Sequence, residues 1–327
     1  MRVLTFEGGA WRQSGDLRPE EARDLAWGPT SVWIRLEGLA QNKLDALGAV
    51  FDLHPLAIED VRSHRQRPKV EDYANLTFVV ARTPRWNAEA DEMSWLTVGI
   101  FLGPDFLITC CTDPVAELDV VEKRLLTTKA SPKTATIDHV FYQVLDTIVD
   151  AYFPMMDSLE ERIEALEDQV LVNSDPDPSH LERLQTMKHI VSQVRKTIVP
   201  MREAMLSLEK GEHSNIGDST RLYLRDVSDH AQRLAERLEH VREMAVLTQE
   251  SYNASVQNYN SRLQNKINRI VKFLAGITLV QSIPMIVSSI FGMNLQHIPR
   301  WEFWPVALTI TFAMVPAFMV ARHYDWI

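Results

Sequence analysis

Two uncharged apolar runs near the end of the chain constrain its fold more than any other feature: Phe273 to Phe291 and Phe303 to Ala321, nineteen residues each. A hydrocarbon core of roughly 30 Å takes about 20 helical residues, so each run is long enough to cross a bilayer as a helix. Gly292, Met293 and nine mostly polar residues, "NLQHIPRWE" (294–302), separate them, which predicts two transmembrane helices joined by a short loop. Lys266, Arg269 and Lys272 precede the first run and Arg322 follows the second, whereas the loop carries Arg300 offset by Glu302. The preference of cationic residues for the cytoplasmic side then predicts that both termini lie in the cytosol. The opening "MRVLTFEGGAWRQSG" has no cationic segment followed by a long apolar stretch, so the large amino-terminal part is expected to stay in the cytoplasm. The two cysteines, Cys110 and Cys111, are adjacent, which is poor geometry for a structural disulfide and in keeping with a reducing compartment.

Residues 1 to about 130 alternate short β-branched runs with helical patterns: "SVWIRLEG", "NLTFVVART", "SWLTVGIFLG" and "FLITCCT". The last two flank Pro104-Asp105, a turn pair, and read as a hairpin within an α/β domain. After Pro132 the period becomes helical over 135–172 and 179–210, interrupted by "NSDPDPS", with Ser179 and Glu182 at capping-box spacing. From about Thr220 no proline occurs until Pro284, and apolar residues recur at Leu224, Val227, Ala231, Leu234, Leu238, Val241 and Ala245. That seam runs on into the first membrane run, predicting one helix of about seventy residues, roughly 105 Å long. The resulting division is a cytosolic α/β domain with a helical hairpin (1–212), a long stalk helix continuous with the first membrane helix (213–294), an outer loop (295–302), and a second membrane helix with a short cytosolic tail (303–327).

Steps of three and four along the first membrane helix and its approach give Asn258, Ser261, Asn265, Asn268, Val271, Ala275, Thr278, Ser282, Met285 and Ser289. The opposite side carries Ile270, Phe273, Ile277, Val280, Val287 and Phe291. A lipid-facing surface should be bulky and apolar, so the small and polar face must meet another helix or water. Two readings stay open: tight packing of small residues, or the wall of a pore. Met285 and Val271 are large for close backbone contact, and the stripe continues below the membrane as asparagines; both points favour the pore. Two helices cannot enclose a channel, so a pore demands a ring of identical chains. Asn294 at the outer end of the stripe is either an ordinary helix C-cap or, repeated around an axis, a collar of carboxamide oxygens. Such a collar suits a hard cation that keeps its water, as Mg²⁺ does, and Gly292 would let the backbones approach closely there.

With these blocks in hand, the chain resembles the CorA divalent-cation channels and their relative ZntB. The resemblance rests on "FGMN" ending the penultimate membrane helix, a short outer loop, a second membrane helix and a tail near Trp326. It rests also on "HPLAIEDVRSHRQRPKVEDY" (54–73), "RKTIVPMRE" (195–203) and "LRDVSDH" (224–230), in the family order. It implies a funnel-shaped homopentamer in the cytoplasmic membrane, with an α/β cytosolic domain, a stalk helix continuous with the pore helix, and an outer ring of second helices. By position, the resemblance implies a selectivity filter of Gly292, Met293 and Asn294. Met285, Ser282 and Thr278 would line the pore, Leu274 and Val271 would form a hydrophobic constriction, and Asn268 would sit near the inner mouth; Ser289 belongs to the stripe itself. The family also implies feedback by cytosolic Mg²⁺ bound between subunits. Asp226 matches one acidic residue of that site, while its partner position aligns with Asn87, leaving Asp91 or Glu89 as substitutes and a solvated acidic loop as the plain alternative. In the outer loop, Gln296, "IPRW" and Arg300 replace the family's acidic residues and "MPEL", which weakens the gathering of divalent cations and resembles ZntB-type loops. His297 is a conceivable Zn²⁺ contact, although a single interfacial histidine is more often not a ligand.

No phosphate-binding "GxxxxGK[ST]" is present, and inward Mg²⁺ flow needs none because the membrane potential suffices, so neither an organic cofactor nor an enzymatic activity is expected. A formal charge of −10 disfavours nucleic acid as a partner, and the acidic run Glu160, Glu161, Glu164, Glu167 and Asp168 reads as a solvated helix face. The sequence therefore predicts a divalent-cation channel, Mg²⁺ foremost, with Zn²⁺, Co²⁺ or Ni²⁺ as alternative cargo. A membrane-anchored coiled-coil scaffold or sensor is the reading from another class.

Overall fold

A computed structural model describes all residues except 16, 28–29, 39–40, 64–65, 75, 88–91, 128–135, 173–174, 212, 294–302, 325 and 327. The chain divides into two compact units, Met1–Val170 with Asp177–Glu250, and Leu171–Pro176 with Ser251–Ile327.

The first unit is built on a seven-stranded sheet. Its strands are β1 (Arg2–Glu7), β2 (Ala10–Gln13), β3 (Val32–Glu37), β4 (Lys69–Tyr73), β5 (Leu76–Asn87), β6 (Glu92–Leu102) and β7 (Phe106–Cys111). They lie in the order β2-β1-β3-β7-β6-β5-β4. Only β3 and β7 run parallel; the other neighbours are antiparallel. The β6–β7 hairpin turns at Pro104-Asp105 as the sequence predicts, and the Gly103 N–H donates to the Phe106 carbonyl at 2.9 Å across it.

Side chains alternate across the sheet with period two, so each central strand feeds two cores. Val3, Ile34, Phe78, Phe101, Ile108 and Cys110 face one side, under α1 (Pro19–Ala26), α2 (Gln41–Phe51) and α3 (Pro55–Arg62). Leu4, Trp33, Val79, Ile100, Leu107 and Cys111 face the other. There α4 (Ala116–Thr127), α5 (Ile137–Asp150), α6 (Tyr152–Val172), α7 (Pro178–Lys210) and the start of α8 (Asp218–Gly292) bury their apolar stripes. Adjacent cysteines thus lie on opposite faces and both are free. Burial pushes the Cys110 thiol far up and that of Cys111 to about 12, so neither thiol is a ready nucleophile.

Two local details depart from the sequence reading. Position 177, not Ser179, caps α7: the Asp177 side chain accepts from the Ser179 backbone N–H at 2.9 Å, with Pro178 in the first turn, the usual preference for a short acceptor before a first-turn proline. The described part of the first helical stretch forms two helices rather than one, Ile137–Asp150 and Tyr152–Val172, parted at Ala151. The seam from Leu224 to Ala245 is fully buried, as predicted. The turn into α8 is tied to three elements: His213 Nδ1 pairs with Asp72 at 3.0 Å, Asn215 Nδ2 donates to the Leu102 carbonyl at 3.2 Å, and the Gly217 N–H donates to Asp138 at 3.0 Å. These anchors fix where the 75-residue α8 begins.

In the second unit α8 continues to Gly292 and is followed by α9 (Phe303–His323). Each contains a segment apolar enough to cross a membrane, of which only 6% is buried within the protein. A soluble core helix of such composition would be buried, so exposure on this scale points to lipid as the missing solvent.

Candidate functional site

The residues of the membrane part of α8 sort into two sides. Gly276 is buried, and Val280, Ile283, Pro284 and Val287 are partly shielded; steps of four and three put them along one side. The matching seam on α9 is Val306, Ile310, Ala313, Ala317 and Ala321. The polar stripe lies about 150° around α8 from its shielded side. Asn258, Ser261, Asn265, Asn268, Val271, Ala275, Thr278, Met285 and Ser289 are all exposed, and Ser282 is half-buried. The small-residue reading would seat this stripe against the chain's own last helix. Instead the strip that is shielded, Gly276, Val280, Ile283, Pro284 and Val287, is apolar, and the polar stripe is exposed, as are Ile270, Phe273 and Ile277.

Hydroxyl geometry adds chemistry to that side. Thr278 Oγ1 donates to the Leu274 carbonyl and Ser282 Oγ to the Leu279 carbonyl, both at 2.8 Å. Once its proton is committed to its own helix, a hydroxyl offers only lone pairs outward. That is the polarity needed to accept hydrogen bonds from the water shell of a cation. Lower down, Gln264 Nε2 donates to Asn268 Oδ1 at 3.3 Å. Leu274 is 56% exposed beside the stripe. Gly292 has open space around it and Met293 is exposed; Asn294, Gln296, His297 and Arg300 lie outside the described residues.

Asp226, one turn into the buried seam of α8, sits beside a group that the sequence reading missed. His230 Nδ1 pairs with Asp150 Oδ1 at 3.0 Å, and His230 Nε2 lies 3.8 Å from Asp226 Oδ1. Asp146, Asp150 and His230 present ligand atoms within 4.8 Å of one another. Burial, then the neighbouring Asp150, raises the Asp146 pKa above the ordinary value; burial, with Asp146 and Asp226 nearby, pushes the Tyr142 phenol up to about 12. Carboxylates held close enough to resist ionisation are relieved by a cation. The sequence signal was there as two i,i+4 pairs, Asp146/Asp150 on α5 and Asp226/His230 on α8, but nothing in one chain's sequence pairs the two helices. Asp91 and Glu89, expected to complete a site with Asp226, lie outside the described residues.

The profile of the family described as CorA-like Mg²⁺ transporter protein matches residues 29–322. The chain is 28% identical over 285 residues to the cobalt/magnesium transport protein CorA of Thermotoga maritima, covering 86% of this chain and 79% of that protein. Its fold matches the complete structure of the CorA magnesium transporter from Methanocaldococcus jannaschii at a TM-score of 0.71 and 18% identity, over 99% of this chain and 97% of the other. The cytoplasmic domain of ZntB from Vibrio parahaemolyticus matches at 0.62 and 14% identity, over 79% of this chain and 98% of the other.

Proposed function

The chain belongs to the CorA-like Mg²⁺ transporter family, and from that premise we propose that it carries divalent cations, Mg²⁺ foremost, inward across the cytoplasmic membrane through a pore lined by α8 in a homopentamer. The observation that carries this reading is the open polar stripe from Asn268 to Ser289, set opposite the shielded apolar side. Around a common axis, Asn294 forms the outer collar with Gly292 and Met293. Ser289, Met285, Ser282 and Thr278 line the passage, Leu274 and Val271 narrow it, and Asn268 opens it to the cytosol. Carboxamide and hydroxyl oxygens exchange hydrogen bonds with a hydrated ion without stripping it, which suits Mg²⁺, an ion slow to dehydrate. The membrane potential supplies about 2.3 kcal/mol per charge per 100 mV, about 4.6 kcal/mol for a divalent ion, so no coupled energy source is required. Both termini lie in the cytosol, where Asp226, with Asp146, Asp150 and His230, holds the regulatory cation that keeps the pore shut; Asp91 and Glu89 are the candidates for a further carboxylate from a neighbouring chain.

A ZntB-like preference for Zn²⁺, Co²⁺ or Ni²⁺ is the second reading. It is favoured by Arg300 and Gln296 in place of acidic loop residues, and by an imidazole, His297, which suits those borderline ions better than Mg²⁺. The test is uptake into proteoliposomes with Mg²⁺- and Zn²⁺-sensitive dyes, wild type against Asn294→Ala. Mg²⁺ entry into wild-type vesicles, altered in the variant, supports the first reading; Zn²⁺ entry without Mg²⁺ supports the second. Vesicles that stay tight to every divalent ion with a pentamer intact would leave only an anchoring or scaffold role.

A further inference from the structure

Far along the chain from the pore helix, at the ends of β3 and β7 where these strands begin, the first unit has an open cleft of about 390 Å³. Ligand clefts for small molecules start at about this size and are mostly apolar with a few placed polar groups. Four aromatic residues line it, Trp27, Phe51, Tyr73 and Phe106, and three of them pack together. The rings of Trp27 and Phe51 lie 5.7 Å apart, Phe51 and Phe106 4.8 Å, and Trp27 and Phe106 6.3 Å with planes only 21° apart. Phe51 and Phe106 are core residues, but Trp27 is 60% exposed, a large apolar surface that a cytosolic domain does not need for its own packing.

The charged side chains that line the cleft among the described residues are both acidic. Asp52 and Asp105 line it, both exposed, and neither forms an ion pair among the described residues. The guanidinium of Arg23 lies 4.8 Å from the centre of the Trp27 ring, so this indole already serves as a cation platform. Asp52 and Ala74, which also lines the cleft, are the two non-glycine residues with left-handed backbone among the described residues, at φ 54° and 47°. Local structure accounts for Asp52, which ends α2, with the next N–H, from Leu53, donating back to the Gly48 carbonyl. It does not favour alanine in the β4–β5 turn, where asparagine or glycine is the ordinary choice; a short side chain there keeps the cleft open.

We propose that this cleft binds a small organic ammonium ion of the polyamine class, with its charge met by the carboxylates of Asp52 and Asp105 and its methylenes laid against Trp27, Phe51 and Phe106. Aromatic walls select against a hydrated metal ion, whose water shell finds no acceptors on them, and the two acids select against a neutral aromatic molecule. Such a site would let the cytosolic domain respond to organic polycations separately from divalent metal, independently of the transport reading above.

Isothermal titration of spermidine into the full-length protein in detergent tests this. One saturable site per chain is expected. Binding should weaken at least about tenfold in Trp27→Leu and in the double variant Asp52→Asn/Asp105→Asn, and should survive in Asp226→Asn. Asparagine tolerates the left-handed backbone at position 52, and an unchanged melting temperature in the double variant separates loss of binding from loss of fold. Absence of saturable binding to wild type overturns the proposal. So does binding that Asp226→Asn abolishes, since the ligand then sits at the acidic cluster, and so does indole binding as tightly as spermidine with no response to the double substitution.

Discussion

Arg35 is fully buried in the first unit, and its guanidinium is shared among Glu122, Asp119 at 2.7 Å and Glu37 at 2.5 Å, with Arg2 bridging the same acids from outside. A buried charge is tolerated only while paired, so Arg35→Leu leaves the buried Glu122 with only the longer contact to Arg2 at 3.3 Å and is expected to cost about 3–5 kcal/mol by denaturant unfolding; a loss below about 1 kcal/mol would mean the network is slack. Asp146 works in the opposite sense. Its raised pKa means that the folded state holds the proton further up the pH scale than the unfolded chain, whose value is near 3.8. Folded-state stability from this group is therefore present below that value and lost as pH rises through the raised one. A bound cation displaces the proton, so the Mg²⁺-induced rise in melting temperature should grow as pH rises through the raised value, approaching about 2.7 kcal/mol at a hundredfold excess over Kd. Asp146→Asn should largely remove that response while leaving the metal-free protein no less stable at the higher pH. A variant with the full Mg²⁺ response would take Asp146 out of the metal site.

At the scale of elements, the hydroxyls of α8 carry the sharpest expectation. Thr278→Val keeps the β-branched shape and Ser282→Ala the small volume, yet each removes the outward lone pairs. Losing about 1 kcal/mol of hydrogen bonding to a hydrated ion should lower initial Mg²⁺ uptake about fivefold in the double variant, with assembly unchanged on gel filtration. Substitutions on the shielded side instead, at Val280 or Val287, should disturb assembly before transport. This helix was also the most legible part of the sequence: the three-and-four rhythm from Leu224 to Ala245 is buried as read, and the helix runs on without a break to Gly292. Strands β3, β5, β6 and β7 were equally plain, because a sheet covered on both faces draws long β-branched runs. What did not show was pairing between distant elements. The parallel β3–β7 contact, and the meeting of α5 with α8 that brings Asp146 and Asp150 to His230, depend on tertiary packing that local period cannot report. The cap of α7 was misplaced by two residues because Asp177 and Ser179 both sit in a proline-rich turn and both can accept from a helix N-terminus.

For the whole molecule, the proposed pore requires a column of water that no single chain can enclose. One chain offers a helix whose polar stripe is exposed; on the proposed reading a ring would convert that stripe into a conduit and turn other α8 surfaces toward α9 and lipid. That conversion is measurable with cysteine chemistry, since the native thiols of Cys110 and Cys111 are buried, with burial holding both pKa values high, and so are quiet toward reagents that need a thiolate. Single cysteines at Ser282, Met285 or Ser289 should react with a charged, membrane-impermeant thiosulfonate in intact proteoliposomes. Block of Mg²⁺ entry should follow, because an ion in the pore cannot pass a second fixed charge of its own sign. Cysteines at Val280 or Val287 should stay unreacted under the same treatment, being shielded from water. Amine-reactive cross-linking of the solubilised protein through its lysines should give a ladder that ends at five. Equal reaction on both sides of the helix, or a ladder that stops at two, would place the polar stripe in an ordinary helix contact and remove the pore.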